Sequence, residues 1–217
     1  MTFQAIISYI YLLSLLFASL CSLRRIRTID AASKIIAILV CCAFINECTA
    51  YYLAKKYHNN LPLYTIYSFF EFGILCLYFS KIIDVFIKKK IGIYIGILGI
   101  ILGILNLIFL QHLYDLNSYF LLFESLSVIG MALFAFFRML LKQDSLKLNK
   151  YPHFWFTSIL LFFWSITFLS LGLYEYINTR LHRSIVTIDT ALDIIGCITY
   201  IGLGCVFLLY PKMQKHK

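Results

Sequence analysis

Residues 91–110 read IGIYIGILGIILGILNLIFL, twenty positions without one charged side chain. As an α-helix such a stretch rises about 30 Å, the thickness of a bilayer's hydrocarbon core. It is apolar on every face, which a helix half-exposed to water would not be. Six further, mostly apolar stretches of similar length flank it, over 3–22, 32–54, 62–83, 117–139, 154–176 and 185–210. The expected fold is all-α: one polytopic seven-transmembrane-helix bundle spanning 1–217. Composition agrees. Hydrophobic residues make up 62% of the chain and charged residues 13%, against about half and a quarter in soluble domains. The lipid bilayer is then the main partner of the surface.

The prolines respect these borders. Pro62 and Pro152 fall where helices open, and a missing N–H costs little there; Pro211 is expected to close the last span. The first span lacks a basic segment before it and carries its arginines after it, so it reads as a retained helix rather than a signal peptide. Ala18-Ser19-Leu20-Cys21 only faintly resembles a lipoprotein cleavage box, because Leu20 is too large where a small residue is required.

Orientation follows from lysine and arginine. Alternate connections hold Arg24, Arg25, Arg27 and Lys34, then Lys81 and Lys88–Lys90, then Arg138, Lys142, Lys147 and Lys150, then Lys212, Lys215 and Lys217. These are fifteen of the nineteen basic residues. The crowded side is expected to be cytoplasmic, which places the N-terminus outside and the C-terminus inside. The net charge of +9 is thereby explained by loops, and no nucleic-acid partner is expected. The seven cysteines all lie in apolar stretches with no CxxC pair, and they read as small buried residues rather than a disulfide framework.

Within the opening stretch Gly92, Gly96, Gly99 and Gly103, followed by Asn106, fall on one stripe at about 100° per residue. Small residues at this spacing allow helix backbones to approach closely. Intramolecular packing is the first reading, a homo-oligomer interface the second.

The acids inside the spans carry more chemistry. Glu47, Glu71, Glu124, Asp189 and Asp193 lie roughly 5–15 Å from the outer helix ends, with Glu175 nearer the surface. Facing lipid, five ionised acids would cost on the order of 15 kcal/mol on insertion scales. That exceeds a typical folding stability. No lysine or arginine lies at matching depth. The acids must therefore be protonated and hydrogen-bonded, surround water, or hold a cation.

Helical spacing groups other polar residues with them. Tyr64, Tyr67, Glu71 and Tyr78 share an arc; Asn117 lines up with Glu124, Asp193 with Tyr200, Thr167 with Tyr174, and Asn46 adjoins Glu47. These residues form the expected wall of a cavity. The bland alternative is a hydrogen-bonded plug that orients the helices. The pairs Phe70-Glu71 and Phe123-Glu124 each follow a polar residue (Tyr64 and Asn117) at the same distance, a faint internal repeat of the sort found in some transporters.

No cofactor is identified beyond a bound cation. His58, His112 and His182 fall in or beside different outer connections, and a divalent metal at the cavity mouth is the functional reading of that placement. Helix number and orientation are shared with ceramidase-type lipid hydrolases, but the last span carries Asp189 and Asp193 in place of a zinc-binding histidine pair. That span also has no lysine for a retinal Schiff base. G-x-S-x-G, P-loop and H-E-x-x-H motifs are absent from the sequence.

Asn59-Asn60-Leu61-Pro62-Leu63-Tyr64, with Tyr67 and Phe70-Glu71-Phe72, resembles a stretch of uncharacterised bacterial seven-helix membrane proteins. The resemblance covers about a quarter of the chain. It implies a bacterial inner (cytoplasmic) membrane, draws attention to Glu71, and brings no function. The leading expectation is a binding or transport protein whose acidic cavity opens outward to a cation, a proton or a small cationic or polar solute. One alternative is a seven-helix sensor that signals through a separate partner. Others are a membrane-embedded hydrolase using paired carboxylates, and an assembly subunit built around the glycine stripe.

Overall fold

The computed structural model describes residues 3–141, 148–180 and 186–214, apart from the side chains at 149, 173–180, 186–189 and 214. These residues form helices and no strands. The elements are α1 (Phe3–Arg25), α2 (Ala31–Tyr57), α3 (Leu61–Ile82), the short α4 (Asp84–Lys89), α5 (Ile91–Phe109), α6 (Ser118–Leu141), α7 (Pro152–Arg180) and α8 (Val186–Gln214), with a 3-10 turn at Leu148–Lys150 before α7. All but α4 are long and apolar enough to cross a membrane. Leu13, Ile45, Phe70 and Leu126 are among the many large apolar side chains left on the outside. A soluble monomer rarely exposes so continuous an apolar surface. The architecture is that of a multi-pass membrane bundle.

Local chemistry sets the helix ends. The Asp30 carboxylate caps α2 by accepting from the Ala32 and Ser33 N–H groups at 3.1 and 3.4 Å. Such a cap is worth about 1 kcal/mol. His58 ends α2 in the left-handed region, φ 56°, and Pro62 sits in the first turn of α3. Pro211 departs from expectation. It lies inside α8, which continues to Gln214. Proline fixes a helical φ and removes only one N–H, so a last turn can run through it.

Six helices close a ring. The packed neighbours are α1 with α2, α2 with α3, α3 with α6, α6 with α7, α7 with α8, and α8 with α1. The fifth helix stands outside this ring and packs against α3 and α6. Its glycine row makes the approach: a Cβ added at Gly92 would sit 2.8 Å from the Cys76 carbonyl oxygen, and one at Gly103 would sit 2.7 Å from the Phe120 ring. Gly92, Gly96, Gly99, Gly103 and Asn106 are all buried against this chain's own helices. The row is therefore covered within one molecule.

The ring has two unlike ends. One, the basic end, gathers the C-termini of α1, α3, α6 and α8 with the lysine- and arginine-rich connections. The other is the N-terminal end, where α1 begins. Toward the basic end the ring is filled by Phe72, Leu75, Phe79, Val128, Ala132, Phe156, Leu203 and Phe207, all buried. The cysteines divide: Cys21, Cys76 and Cys197 are buried, Cys41 and Cys42 half-buried, and Cys48 and Cys205 exposed on the apolar exterior. A thiol is apolar enough for either place.

Candidate functional site

Above that packed half the ring is hollow. A cavity of about 490 Å³ is walled by α1, α2, α3, α6, α7 and α8, every long helix except α5. Glu47, Glu71 and Asp193 line it, together with Tyr11, Tyr64, Tyr67, Tyr200, Asn60, Asn117 and Thr167. A second hollow of about 410 Å³ lies between α1, α2 and α8 and shares Tyr11, Glu47, Asn60, Tyr64 and Asp193 with the first. Neither is lined by a lysine, arginine or histidine among the described residues.

Glu47 stands where the two hollows meet. Tyr64 donates to its Oε2 at 2.9 Å, and Tyr11 donates to its Oε1 at a looser 3.4 Å. Ser8 donates to Asp193 at 2.8 Å. Helix α8 can bring Asp193 this close because Gly196, one turn on, leaves room for the Tyr11 ring, which would meet an added Cβ at 2.5 Å. Tyr11 in turn packs on Tyr200, with ring centroids 5.8 Å apart. Neither Tyr11 nor Ser8 stands out in the sequence. Both sit in an otherwise apolar first helix, and their polar tips are the one signal that could have singled them out.

Glu124 takes a different position. Its side chain is 0% exposed, does not line either hollow, and has no hydrogen-bond partner at either oxygen. The Tyr67 hydroxyl is also buried and unpartnered. Carboxyl and hydroxyl groups buried this way are uncommon and costly.

Other expected wall residues are dispersed. Asn46 is buried beside the cavity without lining it. Asn117 lines it and also accepts from Asn106 at 2.7 Å, tying the α5–α6 connection, which Gln111 completes with a bond to Ser118. The placement of Tyr78 corrects an expectation. It shares the helical arc of Tyr64 and Glu71, but two further turns carry it about 10 Å beyond Glu71, out of the cavity and next to His153. The side chains of Tyr174 and Asp189 lie outside the described residues, as does His182. His58 caps α2 and His112 lies in the α5–α6 connection. Among the described residues no three His, Cys, Asp or Glu side chains gather as a metal site.

A second polar cluster occupies the basic end, and nothing in the sequence announces it. Asp30 pairs with His153 Nε2 at 3.2 Å and accepts from the Tyr210 hydroxyl at 2.5 Å. Ser33 reaches Tyr210 at 3.4 Å, and the Tyr78 hydroxyl lies 3.5 Å from His153 Nδ1. Five parts of the bundle are thus joined: the α1–α2 turn, α2, α3, α7 and α8. Partial burial pushes the Asp30 carboxyl up, but the hydrogen bond and charge of His153, aided by Ser33 and Tyr210, outweigh it and hold the carboxyl well below the usual range. Beside the cluster is a polar hollow of about 260 Å³ that also borders Lys81, Asp84 and Lys150. Arg138 partly neutralises Asp84 at 3.7 Å.

The fold and cavity define a class: a helical membrane bundle with a ring of six helices around a tyrosine- and carboxyl-lined chamber. No protein-family model, curated protein or solved structure matches the chain.

Proposed function

We propose that this protein binds a cationic solute in the chamber between α1, α2, α3, α6, α7 and α8, and that it does so in a bacterial cytoplasmic membrane with the N-terminal end and the chamber facing outward. The lysine and arginine distribution supports that orientation. The single observation that carries the binding reading is the make-up of the lining. Glu47, Glu71 and Asp193 face the chamber, and among the described residues no basic side chain lines it. A cation is the ligand that such a wall favours.

The tyrosines refine the class. Tyr11, Tyr64, Tyr67 and Tyr200 offer ring faces and hydroxyls around the carboxyl groups, a setting suited to an organic ammonium ion. Among the described residues the acids form no convergent triad, an arrangement that favours such a solute over a coordinated divalent metal. The closed cluster at the opposite end suits a transporter seen with one side open, and counterflow in liposomes separates transport from sensing.

The test is thermal unfolding in mild detergent with quaternary ammonium ions, polyamines and mono- and divalent metal ions. A cation present at a hundred times its Kd should stabilise the wild-type protein by about 2.7 kcal/mol. In Glu47→Gln/Glu71→Gln most of that gain should vanish, while the apoprotein stays folded. A panel in which no cation raises the wild-type midpoint would leave these carboxyl groups as structural bonds and sink the proposal.

A further inference from the structure

We infer that a cation entering the chamber drives a proton off Glu124, so that solute and H+ exchange for one another; this rests on the cation-binding reading above.

The argument starts from the surroundings of Glu124. Both oxygens are buried without a donor. Phe120 and Phe123, on the same helix, pack with Phe72 of α3 in edge and tilted contacts, so the neighbourhood is aromatic and dry. Among the described residues the ionisable groups within electrostatic range are Glu71, Tyr67 and Cys76, all from α3. Helix α5 contains no charged residue. His153, the only ionisable group among the described side chains of α7, belongs to the cluster at the basic end. Among the described residues an ionised Glu124 would have no compensating charge and no hydrogen bond, and with Glu71 ionised it would face a like charge as well. With the chamber empty, the neutral acid is the form this environment tolerates.

A cation in the chamber changes that balance. Glu71 lines the chamber, and its charge bears on Glu124, from α3, which packs against α6. A positive charge held there converts the field at Glu124 from repulsive to attractive for a carboxylate. Tyr67 also lines the chamber, and its buried hydroxyl, without a partner, is a donor for the new anion or for Glu71. The step balances: the Glu124 O–H bond breaks, its electron pair stays on the carboxylate, and the proton leaves through the chamber as the cation enters. For a monovalent cation the net charge of the membrane-embedded complex is unchanged.

Proton release is measured directly. The purified protein, in mild detergent, weak buffer and a pH indicator, is titrated with tetramethylammonium, choline and sodium, none of which carries a titratable proton. Wild type should release up to about one proton per cation bound near neutral pH, and its apparent affinity should rise up to tenfold per pH unit. Glu124→Gln, a neutral isostere, should still bind but release almost nothing and lose the pH dependence. Binding without proton release, or with pH-independent affinity in the wild type, overturns this inference and leaves the cavity reading standing. Release that persists undiminished in Glu124→Gln also overturns it. No binding by any of the three cations, nor by the polyamines and divalent metal ions of the thermal panel, overturns both.

Discussion

Leucine at position 99 should abolish the folded bundle, or lower its thermal midpoint further than the loss of any one hydrogen bond in the ring. A Cβ at Gly99 alone would clash with the Phe72 ring and lie 2.9 Å from that of Phe123. Phe72 is fully buried and edge-packed on Phe120 and Phe123, so it cannot swing away without disturbing both. Even alanine should cost about 1–3 kcal/mol by overpacking, and leucine more. Gly130→Leu is the matched control. Nothing lies within 4 Å of a Cβ built there, and gaining a side chain should leave the midpoint nearly unchanged. Monodisperse yield in detergent and unfolding temperature report both. Equal behaviour of the two variants would show that α5 does not sit in the α3–α6 groove as described.

Asp30→Ala is expected to have the next largest effect, about 2–3 kcal/mol of destabilisation. The substitution removes the α2 cap, worth about 1 kcal/mol. It also strips charge-assisted bonds from His153 and Tyr210, which carry roughly 1.5–3 kcal/mol in favourable settings. The Asp30 side chain is 39% exposed, so solvent screening discounts the ion-pair share. Asp30→Asn should recover part of the cap and less of the pairing. The pH dependence has a definite sign. The folded carboxyl is held below its unfolded value, so its contribution is complete above the ordinary range near pH 4 and fades as pH falls further. The midpoint of the wild type should therefore drop more steeply in acid than that of Asp30→Asn. Parallel curves from pH 3 to pH 7 would remove the cluster from the stability of the basic end.

The fold is legible in the sequence because a bilayer imposes a length. Mostly apolar runs near twenty residues, bounded by Arg24, Asn60-Leu61-Pro62 and Lys88-Lys89-Lys90, mark the helices to within a few residues. The row Gly92, Gly96, Gly99 and Gly103 can be read at its spacing, and the structure seats it against α3 and α6. Pro211 misleads because a proline in a last turn costs only one hydrogen bond.

The chamber is less legible. Helical arcs group Tyr64, Tyr67 and Glu71, but an arc carries no depth, and so it draws Tyr78 into a wall that Tyr78 does not reach. Glu124 shares the sequence context of Glu71, yet sits behind the wall, because rotation about α6 is set by contacts with α3 and α7. Asp30, His153 and Tyr210 are hidden for a different reason. Asp30 is separated from each of the other two by more than a hundred residues in sequence, and each looks like an ordinary loop or interface residue until the ring closes.

The depth of Glu124 also bears on membrane voltage. It lies six residues into α6, about 9 Å along a helix of 24 residues, roughly a quarter of the way through. A charge moved to that depth in an energised membrane does work of roughly 0.6 kcal/mol per 100 mV. In the proposed orientation the interior-negative potential draws cations toward this level and opposes the outward escape of protons. An incoming monovalent solute and a departing proton would cancel electrically over that distance. A divalent solute would leave a residual current, so patch or solid-supported-membrane recordings would read the valence of the cargo directly.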